Sequence, residues 1–172
     1  PLVLGKKLGI YDDLGLNVEF VEISSLSDIG HAFQHGYIDI YCGTIAEFVE
    51  SNIKGMRASQ IILLPDYSAG GDVIMARAGI ESLKELKGKK VGVEESLLGT
   101  FFLSRALEFS GMSLSDVSIV YSEQEFFKKL LKKGEVDAVV SYPPFSLDIS
   151  DEIEGANKIF DTSDIPKEII DV

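Results

Sequence analysis

Short apolar runs of period two alternate with segments of helical period along nearly the whole chain, and Gly or Pro stands at almost every junction. That order restricts the fold to the α/β class, because strands joined by intervening helices are the ones that pair in parallel through crossovers. The pattern predicts strands at residues 17–23, 37–41, 59–64, 72–76, 90–93, 117–121, 136–141 and 158–161. Residues 59–64 read as a buried strand because Ile61 to Leu64 is the longest uninterrupted aliphatic stretch, and Ile40 reads as part of a sheet core. Ser25, with Asp28 three residues on, predicts a helix through Ile29, Ala32 and Phe33 to Gly36. Thr44 predicts another, through Ile45, Phe48 and Val49 to Gly55. Further helices are expected at 82–86, 100–109 and 123–133, stopped by Gly88, Gly111 and Gly134.

One motif recurs. A strand and a helix precede Gly36-Tyr37-Ile38-Asp39-Ile40, and the same order precedes Gly134-Glu135-Val136-Asp137-Ala138 at nearly the same spacing. Two similar βαβ units predict two lobes, each a mostly parallel sheet flanked by helices: residues 1–77, then 78–158, with 159–172 returning to the first.

Charge and composition exclude several function classes. Sixteen Lys plus Arg against 28 Asp plus Glu give a net charge of −12, which repels nucleic-acid backbones and anionic lipid surfaces. The basic group Lys128, Lys129, Lys132 and Lys133 reads as a solvated helix face, so no nucleic-acid partner is expected. No apolar run approaches the roughly 18 residues of a spanning helix, so no direct membrane insertion of this chain is expected. A single cysteine, Cys42, allows neither an intrachain disulfide nor a thiolate metal cluster, and it reads as a small buried residue. His31 and His35, four apart, lack a third imidazole and read as surface groups. There is no nucleophile elbow, Walker loop or dinucleotide fingerprint; no catalytic residue, metal or cofactor is expected.

Binding is better supported. Hydroxyl and Gly residues gather where strands end and helices begin, the place where open α/β sheets receive ligands. The junctions are Ser24-Ser25, Gly43-Thr44, Ser96 with Gly99-Thr100, and Ser141-Tyr142. Each alone is equally an ordinary cap or turn. The loop from Pro65 to Asp72 can present Asp66, Tyr67 and Ser68, and Tyr142 before Pro143-Pro144 can form a rigid aromatic wall.

The successive segments PLVLGKKLGIYDDLGLNVEFVEI, GYIDIYCGT, DYSAGGDVIMARAGIESLKELKGKKVGVEE and GEVDAVVSYPPF resemble the substrate-binding proteins of ABC importers, in the NMT1/THI5-like branch that takes nitrate, sulfonates, taurine and thiamine pyrimidines. The resemblance implies a type II periplasmic-binding-protein fold whose two lobes close on a ligand by hinge motion. It also implies a small-molecule ligand, an ABC permease as partner and a periplasmic or extracytoplasmic location. It places the family's first strand before Pro1 and the rest of the first lobe after Val172. Ligand contacts carry over to Gly43, Thr44, Ser96, Gly99 and Thr100; Tyr142 stands where many relatives have Trp-Glu-Pro-Phe, here Tyr-Pro-Pro-Phe. Glu94, Glu95 and Asp66, with no Arg nearby, favour a neutral, zwitterionic or amine-bearing compound over a small strong anion. Two alternatives share the fold: the extracytoplasmic sensing domain of a histidine kinase or diguanylate cyclase, and an enzyme.

Overall fold

In the computed structural model, which describes residues 2–23 and 25–172, strands form only where an apolar run meets a hydrogen-bonding neighbour. Ser24, part of one predicted junction, lies outside the described residues. The α-helices among them are α1 (Leu2–Lys7), α2 (Ile10–Asp13), α3 (Leu26–Gln34), α4 (Ile45–Ile53), α5 (Leu97–Phe109), α6 (Gln124–Lys133) and α7 (Phe145–Glu152). The strands are β1 (Val73–Ala76), β2 (Lys90–Val93), β3 (Ser118–Tyr121), β4 (Ala138–Ser141) and β5 (Asn157–Asp161), in the order β3-β2-β4-β1-β5. The predicted α/β class therefore holds.

Strand β2 pairs in parallel with β3 and β4, as βαβ crossovers through α5 and α6 require. Strand β1 runs antiparallel to β4 and β5, with an irregularity between Ile74 and Met75. Both sheet faces are covered, so β1 and β4 are buried at every position and read as continuous apolar runs. On one face α5 packs Phe102, Leu103 and Leu107 against Ile74, Val91, Val93 and Phe160. On the other, Phe127 and Leu131 of α6 and Ile149 of α7 meet Val73, Met75 and Val139. Gly92 lets α6 approach: a Cβ there would lie 3.0 Å from Val139 Cγ1 and 3.1 Å from Phe127 Cε1.

Three expected strands are corrected. Residues 17–23, 37–41 and 59–64 belong to no sheet ladder among the described residues. Ile40 is 67% exposed and Ile62 73%, so neither the sheet-core reading of Ile40 nor the buried reading of 59–64 holds. The physical reason is that alternation specifies which face of a strand is apolar but supplies no backbone partner, and without a ladder the face has nothing to pack on. Cys42, expected to be buried, is exposed for the same reason: the run before it enters no sheet.

The chain separates into two compact units, Pro1–Tyr41 and Cys42–Val172. In the first, Tyr11 Oη donates to Leu2 O at 3.0 Å and its ring lies 6.3 Å from that of Phe20. His31 on α3 and His35, the residue that ends it, bring their rings to 4.0 Å. The second unit holds the sheet and α4 to α7.

Candidate functional site

The C-terminal residues connect two segments that are far from them in sequence. Gly43 N–H donates to Val172 O at 3.0 Å, Val172 N–H to Gly43 O at 2.8 Å, and Ile45 N–H to Ile170 O at 3.0 Å. On the other side of the same strip, Ser68 N–H donates to Ile169 O at 2.9 Å and Asp171 N–H to Asp66 O at 3.1 Å. Gly43-Thr44 and Asp66-Tyr67-Ser68 are thereby held on either side of residues 169–172, with antiparallel bridges Thr44–Asp171 and Tyr67–Ile170.

Thr44 caps α4 in an extended conformation, and its Oγ accepts from Ala46 N–H at 3.1 Å. Glu47 Oε2 returns the contact, accepting from Thr44 N–H at 2.8 Å and from the Thr44 hydroxyl. This reciprocal capping satisfies helix-start donors that would otherwise be orphaned. Oε1 of Glu47 is buried and has no hydrogen-bond partner among the described residues.

Ser68 is engaged at a crossing of chain segments. Its hydroxyl donates to Asp72 Oδ2 at 2.5 Å and lies 2.9 Å from Thr162 Oγ1, which also accepts from Gly70 N–H at 2.8 Å. Thr162 is fully buried, and its N–H donates to Asp72 O at 3.1 Å. Burial pushes the Asp72 carboxyl up, against the opposing hydrogen bond from Ser68. Ser68 therefore joins the segment entering β1 to the one leaving β5.

A second group forms at the carboxyl ends of β2 and β4. Ser96 caps α5, its Oγ accepting from Gly99 N–H at 3.1 Å, and Ser96 N–H donates to Glu94 O at 2.7 Å. Gly99 is there for packing, since a Cβ would lie 2.9 Å from Val93 Cγ1. Thr100 follows in the first turn, its N–H bonded to Ser96 O at 3.3 Å. Glu94, only 7% exposed, accepts from Tyr142 Oη at 3.3 Å and from Gln124 Nε2 at 3.4 Å. Ser141 Oγ donates to Gln124 Oε1 at 3.0 Å. The Tyr142 ring meets Phe145 edge-on at 5.8 Å, just before the cis Pro143–Pro144 bond.

The two groups lie within each other's electric field. Burial raises Glu94, and the charges of Glu123 and Glu47 add to it against hydrogen bonds from Gln124 and Tyr142. Burial also raises Asp171, to about 7, reinforced by the neighbouring carboxylate of Asp66 and by the charges of Asp72 and Glu47. Tyr142 is held well above the usual phenol range by burial, then by Glu94, Asp72 and Glu123. A pocket of about 240 Å³ opens between the starts of α4 and α5, lined mainly by Ile45, Val49, Leu97, Leu98, Phe101 and Ile170. Thr44 also borders it.

Of the predicted site residues, the structure collects Gly43, Thr44, Asp66, Tyr67, Ser68, Ser96, Gly99, Thr100 and Tyr142 within the unit Cys42–Val172. Ser25 lies in the other unit, where it caps α3 and accepts from Asp28 N–H at 3.1 Å. Sequence reasoning missed Glu47, Asp72, Gln124, Thr162 and Asp171; only Glu47 left a local signal, as the fourth residue of Thr-x-x-Glu. Among the described residues no group of three or more His, Cys, Asp or Glu is arranged to hold a metal ion, and no helix is long and apolar enough to cross a membrane.

Residues 1–152 match the family described as NMT1/THI5 like. Among solved structures, the alkanesulfonate-binding protein SsuA of Xanthomonas axonopodis pv. citri, bound to MOPS, superposes with a TM-score of 0.79 at 17% identity, over 99% of this chain and 60% of that one. The periplasmic aliphatic sulphonate-binding protein SsuA of Escherichia coli gives 0.77 at 19% identity, over 99% and 56%. At such identities the likeness speaks for the fold alone, that of the type II periplasmic binding proteins. The 4-amino-5-hydroxymethyl-2-methylpyrimidine phosphate synthase THI13 of Saccharomyces cerevisiae is 23% identical over 139 residues, 80% of this chain and 40% of its own. The chain spans 29% to 44% of the length of the curated relatives it matches.

Proposed function

The chain belongs to the NMT1/THI5-like family, and from that premise we propose that it is part of a solute-binding protein that delivers a small organic molecule to an ABC importer. The observation that carries this reading is a mainly apolar pocket between the starts of α4 and α5, bordered by the Thr44 cap, in a chain whose other predicted junctions, Ser96 and Tyr142, stand at the carboxyl ends of β2 and β4. The polar contacts described there cap helices and join chain segments, and capture without chemistry is the role we assign to them.

In this reading the sheet of β1 to β5 with its helices is one lobe, and the segments before β1 and after β5 are the two crossovers from it. Ser68, Asp72 and Thr162 then tie the outgoing and returning crossovers together where a hinge would bend. The closed form would be what a membrane permease recognises, and only a ligand with higher affinity for that form can populate it. The periplasmic sulfonate-binding neighbour supports an extracytoplasmic site of action.

The yeast relative is a synthase, which keeps an enzyme as the second reading. One experiment separates the two: a thermal-shift screen of the full-length protein against sulfonates, taurine, nitrate, aminopyrimidines, flavins and amino acids. A ligand at 100 times its dissociation constant adds about 2.7 kcal/mol, enough to raise the melting temperature by several degrees. A hit recovered chemically unchanged supports capture; a hit that is consumed supports the enzyme.

A further inference from the structure

Among the described residues, the pocket of about 240 Å³ between the starts of α4 and α5 is lined by apolar side chains except for two, Thr44 and Glu168. Both are already engaged. Thr44 Oγ1 accepts from Ala46 N–H at 3.1 Å and donates to the Glu47 carboxylate. Glu168 accepts two hydrogen bonds from Arg105, at 2.6 and 3.1 Å, and the same guanidinium also pairs with Glu108. The C-terminal strip that borders the pocket is tied as well, Ile169 O accepting from Ser68 N–H at 2.9 Å and Ile170 O from Ile45 N–H at 3.0 Å. At the start of α4 the chain itself takes the amides that a small anion would use: Ile45 N–H goes to Ile170 O, Ala46 N–H to Thr44 Oγ1, and Phe48 N–H to Thr44 O at 3.2 Å. Among the described residues no Lys, Arg or His lines the pocket.

Moving a charge from water into such surroundings is costly unless it finds a counter-charge or free hydrogen-bonding groups, and the groups named here have their partners. An uncharged ring meets no such cost, and burial against Val49, Leu97 and Phe101 favours it. An apolar cavity of about 150 Å³ already takes benzene, so this larger pocket has room for one substituted ring. We propose that the captured solute is uncharged and mainly apolar, a compound of about the size of one substituted ring, seated between Val49 of α4 and Phe101 of α5. The inference rests on the solute-binding reading and assigns the substrate class of the same pocket, one unlike the sulfonates named for the structural neighbours.

The test is calorimetric titration of the full-length protein at neutral pH with three probes that share one ring and differ in charge: benzyl alcohol, benzylamine and phenylmethanesulfonate. Benzyl alcohol should bind at least about tenfold more tightly than either charged probe. Val49 is 42% exposed and Phe101 37%, so neither side chain belongs to the buried core. Val49→Trp, which fills the pocket, and Phe101→Ala, which removes one wall, should each weaken benzyl alcohol about tenfold. The two changes lie on different helices, so either variant that melts like the wild type gives the result. Equal or tighter binding of a charged probe overturns the assignment of an uncharged solute while leaving solute capture intact. Undiminished binding of benzyl alcohol in the variants overturns its placement in this pocket. Silence from all three probes also overturns the proposal; if the wider solute screen is silent too, the solute-binding reading falls with it.

Discussion

Residues 73–161 and residues 17–64 carry the same kind of short apolar run, but only the former make a sheet. In β1, β2 and β4 the runs lie between neighbours that satisfy their backbone groups, and helices cover both faces. In 17–23, 37–41 and 59–64 the same alternation leaves Phe20, Val21, Ile40, Ile62, Leu63 and Leu64 exposed. The difference teaches that an apolar pattern sets the orientation of a strand, while the ladder and the cover that make it stable come from other segments.

The largest expected effect would break this comparison outright. Phe102→Ala removes a ring that is fully buried between the sheet and α5, 5.8 Å from Phe160, and should cost about 3–5 kcal/mol in urea unfolding. Ile40→Asp should change stability by less than about 0.5 kcal/mol, because the side chain is exposed. Comparable losses from the two would show that Ile40 is packed after all. Next in size is Gly99→Ala, whose methyl would sit 2.9 Å from Val93 Cγ1; a loss of about 1–3 kcal/mol is expected, read by the same unfolding curves. A neutral result would mean that the start of α5 is not seated on β2.

Thr44→Ala deletes the α4 cap and releases Glu47, and should cost about 1 kcal/mol in thermal unfolding. Its effect on solute binding should be the greater of the two, which marks the site as separate from the core that Phe102 supports.

The remaining expected effect is a dependence on pH. Asp171 titrates near 7 in the folded chain against 3.8 as its ordinary value, so between those limits the folded state holds a proton that the unfolded state has released. Its contribution to stability is therefore greatest below about pH 4, declines as pH rises to about 7, and is constant above. Asp171→Asn should narrow the difference in melting temperature between pH 5 and pH 8. An unchanged difference would place Asp171 away from Asp66.

The sheet was legible because β1 and β4, buried at every position, leave continuous apolar runs and the other strands leave short ones: 72–76, 90–93, 117–121, 136–141 and 158–161 all appear within about two residues of their observed limits. The caps at Thr44 and Ser96 were legible because capping is local, with donor and acceptor two or three residues apart. The remainder of the site was not, for the opposite reason. Asp171 meets Asp66 only because residues 169–172 pair with Gly43 on one side and Ser68 on the other. Thr162 reaches Ser68 and Gly70 across about ninety residues of chain. No spacing rule connects such positions. The lost strands illustrate the same limit, since 59–64 has the composition of a buried strand and lacks only the partner.

The most direct measurement is calorimetric titration of the full-length protein with the solute found in the screen, comparing wild type with Tyr142→Ala and analysing the recovered solute by mass spectrometry. Saturable binding, a loss of about tenfold or more in the variant at an unchanged melting temperature, and a solute returned intact are the results expected of a capture site at the ends of β2 and β4. Undiminished affinity in the variant, or a solute converted to product, would contradict it.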